Sequence, residues 1–215
     1  MQVKLVSITQ PRVNGVTTAE ELIVYCARVS NPSNQLNLDT GSKLLRYCIQ
    51  HEHWSIFEQA SMTVEVTTSR AIAAQILRHR SFVFQELSQR YSQIQYMEPY
   101  ELRQQAAKNR QSSTEAMASD LYAFLANQAV DHAQQVYNQL IDAGVARECA
   151  RMVLPLCTQT TLYMTGSVRS WIHYLGLRTK ENTQKEHREI AIEIGKVFAK
   201  EFPQIADCLS MEGTK

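Results

Sequence analysis

The chain has 215 residues, of which 44% are hydrophobic and 20% are charged, and its formal net charge is +1. These values are typical of a globular chain that can bury a sizeable core, and we expect one domain over residues 1–215. A charge so close to zero argues against a protein that binds nucleic-acid polymers, because such proteins usually present a strongly basic face. No apolar run approaches the ~20 residues that a membrane span needs, and the first residues lack the organisation of a signal peptide.

Five cysteines are scattered along the chain, and none has the CxxC or CxxH spacing that is typical of a zinc site. Each lies among apolar residues, so the better interpretation is a small core side chain. Scattered thiols also favour a reducing, cytoplasmic location. We therefore expect neither a disulfide framework nor a metal site. The residues concerned are Cys26, Cys48, Cys149, Cys157 and Cys208.

The N-terminal half of the chain shows the apolar periods of strands and of helices. In chain order, the pattern predicts a strand over residues 2–9, a helix from capping boxes at 17–21 to about Val29, a helix from about Gly41 to Ile49, and a half-buried strand from Met62 to Val66. Ser69 then caps a helix that delivers Arg78 at its end, with Gln75 on the same face. Beyond this helix we expect an extended segment, in which Ser88 and Arg90 point the same way.

The C-terminal half has a mainly helical pattern. A capping box at Ser112 and Glu115 predicts a long helix to about Ala143, with Gly144 as its stop. The apolar face of this helix begins with Leu121, Phe124 and Leu125. A short helix with Arg147 and Arg151 follows and ends at Pro155. Residues 160–165 are β-prone, and Ser167 then caps a helix that carries Arg169, His173 and Arg178. Asn182 caps a last helix that extends to Pro203. Together the elements predict an α+β fold, with an antiparallel or mixed sheet flanked by helices.

Three arginines, a histidine, a glutamate and two serines are concentrated between Arg78 and Tyr91. Arginine binds phosphate bidentately and stays charged. The chain has no glycine-rich phosphate loop, since GxGxxG and GxxxxGK[ST] are both absent. If the protein binds a phosphorylated ligand, side chains of this segment would hold the phosphate. The alternative interpretation is a solvated helix end and loop with surface ion pairs.

A second dense polar cluster runs from His51 to Glu58. In a strand, His51, His53 and Ser55 would share one face, and two histidines with this spacing are a possible metal half-site. No third ligand with convincing spacing follows. A surface side chain is therefore the better interpretation for His51.

The spacing Arg-His-Arg, seven residues and then Ser-x-Arg, which begins at Arg78, resembles the signature of the flavin-dependent thymidylate synthases. Gln75-x-x-Arg78 and Glu86-Leu87-Ser88 fit the same signature, and the resemblance spans roughly residues 26 to 178. It implies the conversion of dUMP to dTMP with FAD, NADPH and 5,10-methylenetetrahydrofolate. It also implies a homotetramer whose active sites are shared between subunits.

The resemblance implies overlapping sets of residues for the nucleotide and the flavin. The expected dUMP-binding residues are Gln75, Arg78, Glu86, Leu87, Ser88, Gln89, Arg90, Arg147 and Arg178. The expected flavin-binding residues are Ser30, His53, Ser55, Glu58, Arg78, His79, Arg80, Glu86, Ser167, Arg169, His173 and Leu177. Arg178 is also the expected catalytic residue, which stabilises the N3-deprotonated pyrimidine. Ser167 and His173 replace asparagines of the family, so their hydrogen-bonding groups differ from an amide.

No cysteine lies within any of these motifs, which agrees with a reaction that uses no enzyme nucleophile. Ser88 has no base adjacent in sequence to activate it, so we interpret it as a hydrogen-bonding partner of the phosphate. Two other classes of function remain as alternatives. One is a non-enzymatic nucleotide-binding or regulatory domain that uses the same arginines, and the other is a metal-dependent nucleotide hydrolase around His51 and His53.

Overall fold

A computed structural model describes residues 1–212 of the chain. The strands are β1 (Gln2–Ile8), β2 (Ser61–Ser69), β3 (Val83–Glu86), β4 (Arg103–Gln105), β5 (Ser113–Ala116) and β6 (Gln159–Ser167). The α-helices are α1 (Ala19–Ala27), α2 (Gly41–Gln50), α3 (Arg70–Ile76), α4 (Asp120–Asp142), α5 (Arg147–Ala150), α6 (Val168–Arg178), α7 (Lys185–Glu201) and α8 (Pro203–Glu212). Short 3-10 helices cover Pro32–Asn34, Trp54–Glu58 and Arg151–Val153.

An antiparallel sheet with the strand order β1-β2-β6-β3 forms the centre of the fold. β2 and β6 pair along their full length, from Ser61 opposite Ser167 to Ser69 opposite Gln159. Side chains alternate between the two faces of a strand, and the buried ones in β2 are apolar except for Thr68. On the opposite face, threonine hydroxyls meet across the strands, as Thr63 and Thr165 do at 2.9 Å. The α+β prediction is confirmed.

One hydrophobic core joins the apolar face of β2 and β6 to the helices α1, α2, α3, α6, α7 and α8. Trp171 of α6 is its largest fully buried side chain, and its indole N–H donates to the carbonyl of Met62 at 3.0 Å. This bond satisfies the single polar atom of the indole inside the core. It also fixes α6 against β2, which determines where the polar end of α6 lies.

The predicted cap residues of three helices are confirmed. Thr18 accepts a hydrogen bond from the backbone of Glu21 at 3.1 Å, and the Glu21 carboxylate accepts from the backbone of Thr18 at 3.0 Å. Ser69 and Ser167 likewise accept from backbone amides at the starts of α3 and α6. Gly144 follows α4 with a φ of +83°, in the left-handed region that glycine adopts without strain.

The prediction is wrong around Ser112 and around Asn182. Residues 113–116 form β5, which pairs with β4, so α4 begins at Asp120 rather than after Ser112. The Ser112 carbonyl accepts from the Gln105 side chain at 2.9 Å, within the hairpin. Asn182 does not cap α7, which begins at Lys185 with Gln184 at the cap position, and Pro203 opens a further helix, α8, as a first-turn proline.

The long helix α4 is buried in only part of its length. Tyr137, near its C-terminal end, is fully buried and accepts a hydrogen bond from the backbone of Ile94 at 3.2 Å. The start of the helix is different, because Leu121, Phe124 and Leu125 are 62%, 56% and 49% exposed. No helix among residues 1–212 combines the length and the apolar character that crossing a membrane requires.

Candidate active site

The ends of α3 and α6 bring Arg178 and His79 together. Arg178 Nε donates to His79 Nε2 at 2.8 Å, and the His79 ring lies edge-on to Tyr174 with 4.9 Å between the ring centroids. Burial and the neighbouring Arg178 both lower the pKa of His79. A neutral imidazole with an unprotonated Nε2 is also what accepting this bond requires. Arg178 is therefore held by a neutral group.

Gln75 belongs to the same site. Its amide nitrogen donates to Gln184 Oε1 at 2.6 Å, and its oxygen lies 3.2 Å from His187 Nδ1. We call Gln75, His79, Arg178 and His187 the Arg178 cluster, and the buried Tyr174 packs behind it. Sequence reasoning predicted three of these residues, and the fold brings those three together.

Arg78 and Arg80 flank His79, and both are exposed. Within residues 1–212 neither guanidinium has a hydrogen-bond or ion-pair partner. An arginine without a carboxylate partner keeps its donors and its charge available to an anion. Both residues remain predicted ligand contacts, and their surroundings are compatible with that role.

The predicted extended segment is confirmed as far as β3 (Val83–Glu86), and residues 88–91 then form a turn. The backbone amides of Tyr91 and Ser92 donate to the Ser88 carbonyl at 3.1 and 2.9 Å. Gln89 is buried, whereas Arg90 is exposed and forms an ion pair with Glu148 at 3.1 Å. Ser88 and Arg90 are both exposed on either side of the buried Gln89, in agreement with the prediction that they point the same way.

We call Ser88, Gln89, Arg90 and Arg147 the Arg90 cluster. Arg147 is the first residue of α5, next to the Glu148 that pairs with Arg90. In the part of the chain that the structure describes, no hydrogen bond or ion pair joins this cluster to the Arg178 cluster. The predicted dUMP-binding residues thus fall into two groups within one chain.

Glu86 and Leu87 lie between the two clusters in sequence. The Glu86 carboxylate accepts from Arg70 at 2.6 Å and from the Thr160 hydroxyl at 2.9 Å. The Leu87 backbone amide donates to Thr161 at 2.9 Å, which continues the pairing of β3 with β6. The carboxylate of Glu86 is therefore already fixed by the protein, and its predicted ligand contacts would be made by a preorganised group.

Three of the predicted flavin-binding residues share one face of α6. Arg169, His173 and Leu177 follow one another at intervals of four residues, and all three are half-buried or exposed. Arg169 pairs with Glu58 at 2.6 Å, and the His173 ring lies 4.9 Å from the Trp54 ring. We call these three residues the α6 face.

Ser167 lies just before the α6 face and is the cap of the helix. Its oxygen accepts from the Ser170 backbone at 3.3 Å and lies 3.2 Å from the Ser170 hydroxyl. These bonds account for most of the hydrogen-bonding capacity of a serine oxygen. A flavin contact at Ser167 stays a prediction.

The remaining predicted flavin contacts, Ser30, His53 and Ser55, are exposed. Trp54–Glu58 forms a 3-10 helix, so His51, His53 and Ser55 do not share the face of a strand. His51 stacks on Tyr47 with a centroid distance of 4.0 Å, and its Nδ1 lies 2.9 Å from the Tyr47 carbonyl. Among residues 1–212, no group of three His, Cys, Asp or Glu side chains is placed to hold a metal ion.

Comparison with known proteins identifies the family. A family model described as thymidylate synthase complementing protein matches residues 12–204. A probable flavin-dependent thymidylate synthase of Paramecium bursaria Chlorella virus 1 is 52% identical over 213 residues, which cover 97% of this chain and 99% of the relative. The chain belongs to the flavin-dependent thymidylate synthase family. The family predicted from the segment between Arg78 and Tyr91 is confirmed.

Two further proteins support this membership. The flavin-dependent thymidylate synthase of Synechocystis is 50% identical over 216 aligned residues. This alignment covers 97% of the present chain and 99% of the Synechocystis protein. The crystal structure of a UMP/dUMP methylase, PolB from Streptomyces cacaoi, bound with 5-Br dUMP, superposes with a TM-score of 0.83 at 28% identity. That superposition covers 98% of this chain and 94% of the methylase.

The sequence prediction missed four residues that a chain of hydrogen bonds joins to Gln75, namely Tyr174, Gln184, Glu186 and His187. His187 is fully buried and lies on α7, a helix in which the resemblance to the family predicted no site residue. A signal was present, since His187 precedes the buried Ile190 and Ile194 by three and seven residues and so lies on the apolar face of α7. A histidine at such a position needs buried hydrogen-bond partners.

Proposed function

We propose that this family member catalyses the reductive methylation of dUMP to dTMP, with FAD as its cofactor and with NADPH and 5,10-methylenetetrahydrofolate as co-substrates. The observation that carries the proposal is the state of Arg178. Arg178 is a half-buried cation whose hydrogen-bond partner is the neutral His79, 2.8 Å away. A carboxylate partner would cancel much of the positive charge, whereas an imidazole leaves it for an anionic ligand.

A cation in this position suits the difficult step of the reaction. C5 of uracil is a poor nucleophile, and loss of the N3 proton raises the electron density of the ring. Arg178 would stabilise the negative charge of the deprotonated ring, and a preorganised charge is most effective in a site with little water. No described cysteine belongs to the Arg178 cluster, and burial raises the pKa of the Cys48 and Cys208 thiols, which makes them poor nucleophiles.

The residues present fit a bound FAD. The pyrophosphate of FAD carries negative charge, and without a glycine-rich loop it must be held by side chains. Arg78 and Arg80 are exposed guanidinium groups with free donors, and the α6 face offers the apolar Leu177 and the ring of His173 for a planar group. When bound, FAD supplies the hydride chemistry, and the protein supplies binding and orientation.

We further propose a homotetramer with active sites shared between subunits. The exposed start of α4 supports this, because an apolar patch formed by Leu121, Phe124 and Leu125 is typical of a surface that another chain covers. The second support is that, within the described part of one chain, no hydrogen bond or ion pair joins the Arg178 cluster to the Arg90 cluster. A nucleotide bound between an Arg178 cluster and the Arg90 cluster of a neighbouring copy would contact both sets of predicted residues.

The decisive experiment uses the purified full chain. We expect a yellow protein with flavin absorption bands, which forms dTMP from dUMP when methylenetetrahydrofolate and NADPH are both present and stops when either is omitted. Binding of dUMP without product would favour the non-enzymatic nucleotide-binding alternative, and hydrolysis of dUMP that requires added divalent metal would favour the hydrolase alternative. A colourless protein that forms no dTMP would overturn the proposal.

A further inference from the structure

A continuous chain of hydrogen bonds links the interior of the protein to Gln75. The Tyr174 hydroxyl lies 3.1 Å from His187 Nε2, and His187 Nδ1 lies 3.2 Å from Gln75 Oε1. The Gln75 amide nitrogen donates to Gln184 Oε1 at 2.6 Å, and the Gln184 amide nitrogen donates to a Glu186 carboxylate oxygen at 2.9 Å.

Which group donates and which accepts in each of these hydrogen bonds follows from the Glu186 carboxylate at the end of the chain of bonds. Burial alone would raise the pKa of Glu186, but hydrogen bonds from its own backbone, from Gln184 and from Arg103 lower it, so the group is an ionised acceptor. Arg103 holds it at 2.7 Å. Because a carboxylate only accepts, the amide nitrogen of Gln184 must face Glu186, and its oxygen must face Gln75.

The orientation of Gln75 determines which nitrogen of His187 carries the proton. Since the Gln75 nitrogen faces Gln184, its oxygen faces His187, and this oxygen requires a proton on His187 Nδ1. Nε2 is then left as the acceptor for the Tyr174 hydroxyl. Burial, with Arg178 and His79 nearby, lowers the pKa of His187 to about 4, so the ring is neutral and can keep this single tautomer.

The outcome is a defined orientation of the Gln75 amide. One of its two N–H groups donates to Gln184, and among residues 1–212 the other has no hydrogen-bond partner. Without His187 the Gln75 oxygen would lose its donor, and the single bond to Gln184 would be left to hold the amide, which could then swing about that bond. We propose that His187 is a positioning residue of the nucleotide site, which holds Gln75 so that it presents an N–H donor to an acceptor oxygen of the bound nucleotide. This inference rests on the proposed function, in which Gln75 binds dUMP.

A purely structural role would be the simpler account of a buried histidine. It would explain the bond to Tyr174, but it gives no reason for a polar link from the core to Gln75. A hydrogen-bonded polar chain adds little stability over apolar side chains of the same shape. The two roles differ in what they require, since positioning depends on the Nδ1 side of the ring and not on the Nε2 side.

Two amide variants separate these sides of the ring. In His187→Asn the amide nitrogen can take the place of Nδ1 and donate to Gln75, whereas in His187→Gln the longer side chain places its amide near the Nε2 position and the Tyr174 hydroxyl. Tyr174→Phe is the matched control, because it removes an equally buried bond of the same chain without touching Gln75. The measurements are the dissociation constant of dUMP on the flavin-loaded protein, turnover, flavin content and thermal midpoint.

We expect His187→Gln to bind dUMP about tenfold more weakly than the unmodified chain, with unchanged flavin content, because one oriented hydrogen bond is lost. His187→Asn and Tyr174→Phe should stay within about threefold of the unmodified chain. Should His187→Gln not fold, His187→Leu takes its place with the same expectation. Equal dUMP affinities of the Asn and Gln (or Leu) variants, in folded yellow protein, would overturn the inference alone. If the unmodified chain neither binds dUMP nor forms dTMP, the proposed function fails and the inference fails with it.

Discussion

The burial of His187 should make this protein sensitive to acid. Its ordinary pKa of 6.5 falls to about 4 in the folded chain, chiefly through burial and further through Arg178 and His79. Between these two values the unfolded chain binds a proton that the folded chain does not. The free energy of unfolding therefore decreases as the pH falls below 6.5, and the loss is complete below about pH 4.

The size of this effect follows from the two pKa values. A tenfold change in proton affinity corresponds to 1.36 kcal/mol, so moving the His187 pKa from 6.5 to about 4 corresponds to about 3 kcal/mol. Carboxylates also titrate in this range, and their contribution must be removed. His187→Leu provides the reference, because it keeps a side chain of similar size and deletes the titrating group.

The assay is denaturant unfolding of both proteins at one protein concentration, from above pH 6.5 down to about pH 4. The unmodified chain should lose about 3 kcal/mol more than His187→Leu over this range. The slope of the difference against pH should not exceed about 1.4 kcal/mol per pH unit, since a single proton is involved. A difference between the two proteins that stays constant across the range would refute the reasoning.

Three further substitutions test separate parts of the structure. Arg178→Lys should reduce turnover about 100-fold with a smaller loss of dUMP affinity, because it keeps the charge but moves it, and near-normal turnover would remove the catalytic role. Arg90→Ala should weaken dUMP binding by about 1.5–3 kcal/mol in a titration and leave flavin content unchanged, whereas unaltered affinity would make Arg90 a structural residue paired with Glu148. Gly166→Ala should lower the free energy of unfolding by about 1–3 kcal/mol, since a Cβ there would lie 2.5 Å from the Phe82 ring. Unfolding that matches the unmodified chain would show that the ring moves away without cost.

Features set by neighbouring residues in sequence were predictable. The capping box at Thr18 and the serine caps of α3 and α6 depend on side chains within three residues of the backbone groups that they bind. The glycine after α4 is equally local. The residues around the Arg-His-Arg motif were recognisable as a group because the motif is contiguous and long.

Features that depend on residues far apart in the sequence could not be predicted. β3 is four residues long and has no strong pattern, and it forms because its residues pair with Leu162 to Thr165 of β6. The chain of bonds through His187 unites residues from α3, α6 and α7, and no local pattern could pair Gln75 with a histidine 112 positions away. The sequence also could not predict which part of α4 is buried. The same apolar pattern is found in a helix that packs on its own core and in a helix that packs on another chain.

The uncovered start of α4 also has a consequence for how measurements on this protein must be compared. In the proposed homotetramer, association would cover Leu121, Phe124 and Leu125 and complete a binding site, so the fraction of competent sites would depend on total protein concentration through mass action. Specific activity, flavin retention and melting temperature would then all decline together on dilution, although no covalent change has occurred. The exponent of that decline would report how many chains one working site requires.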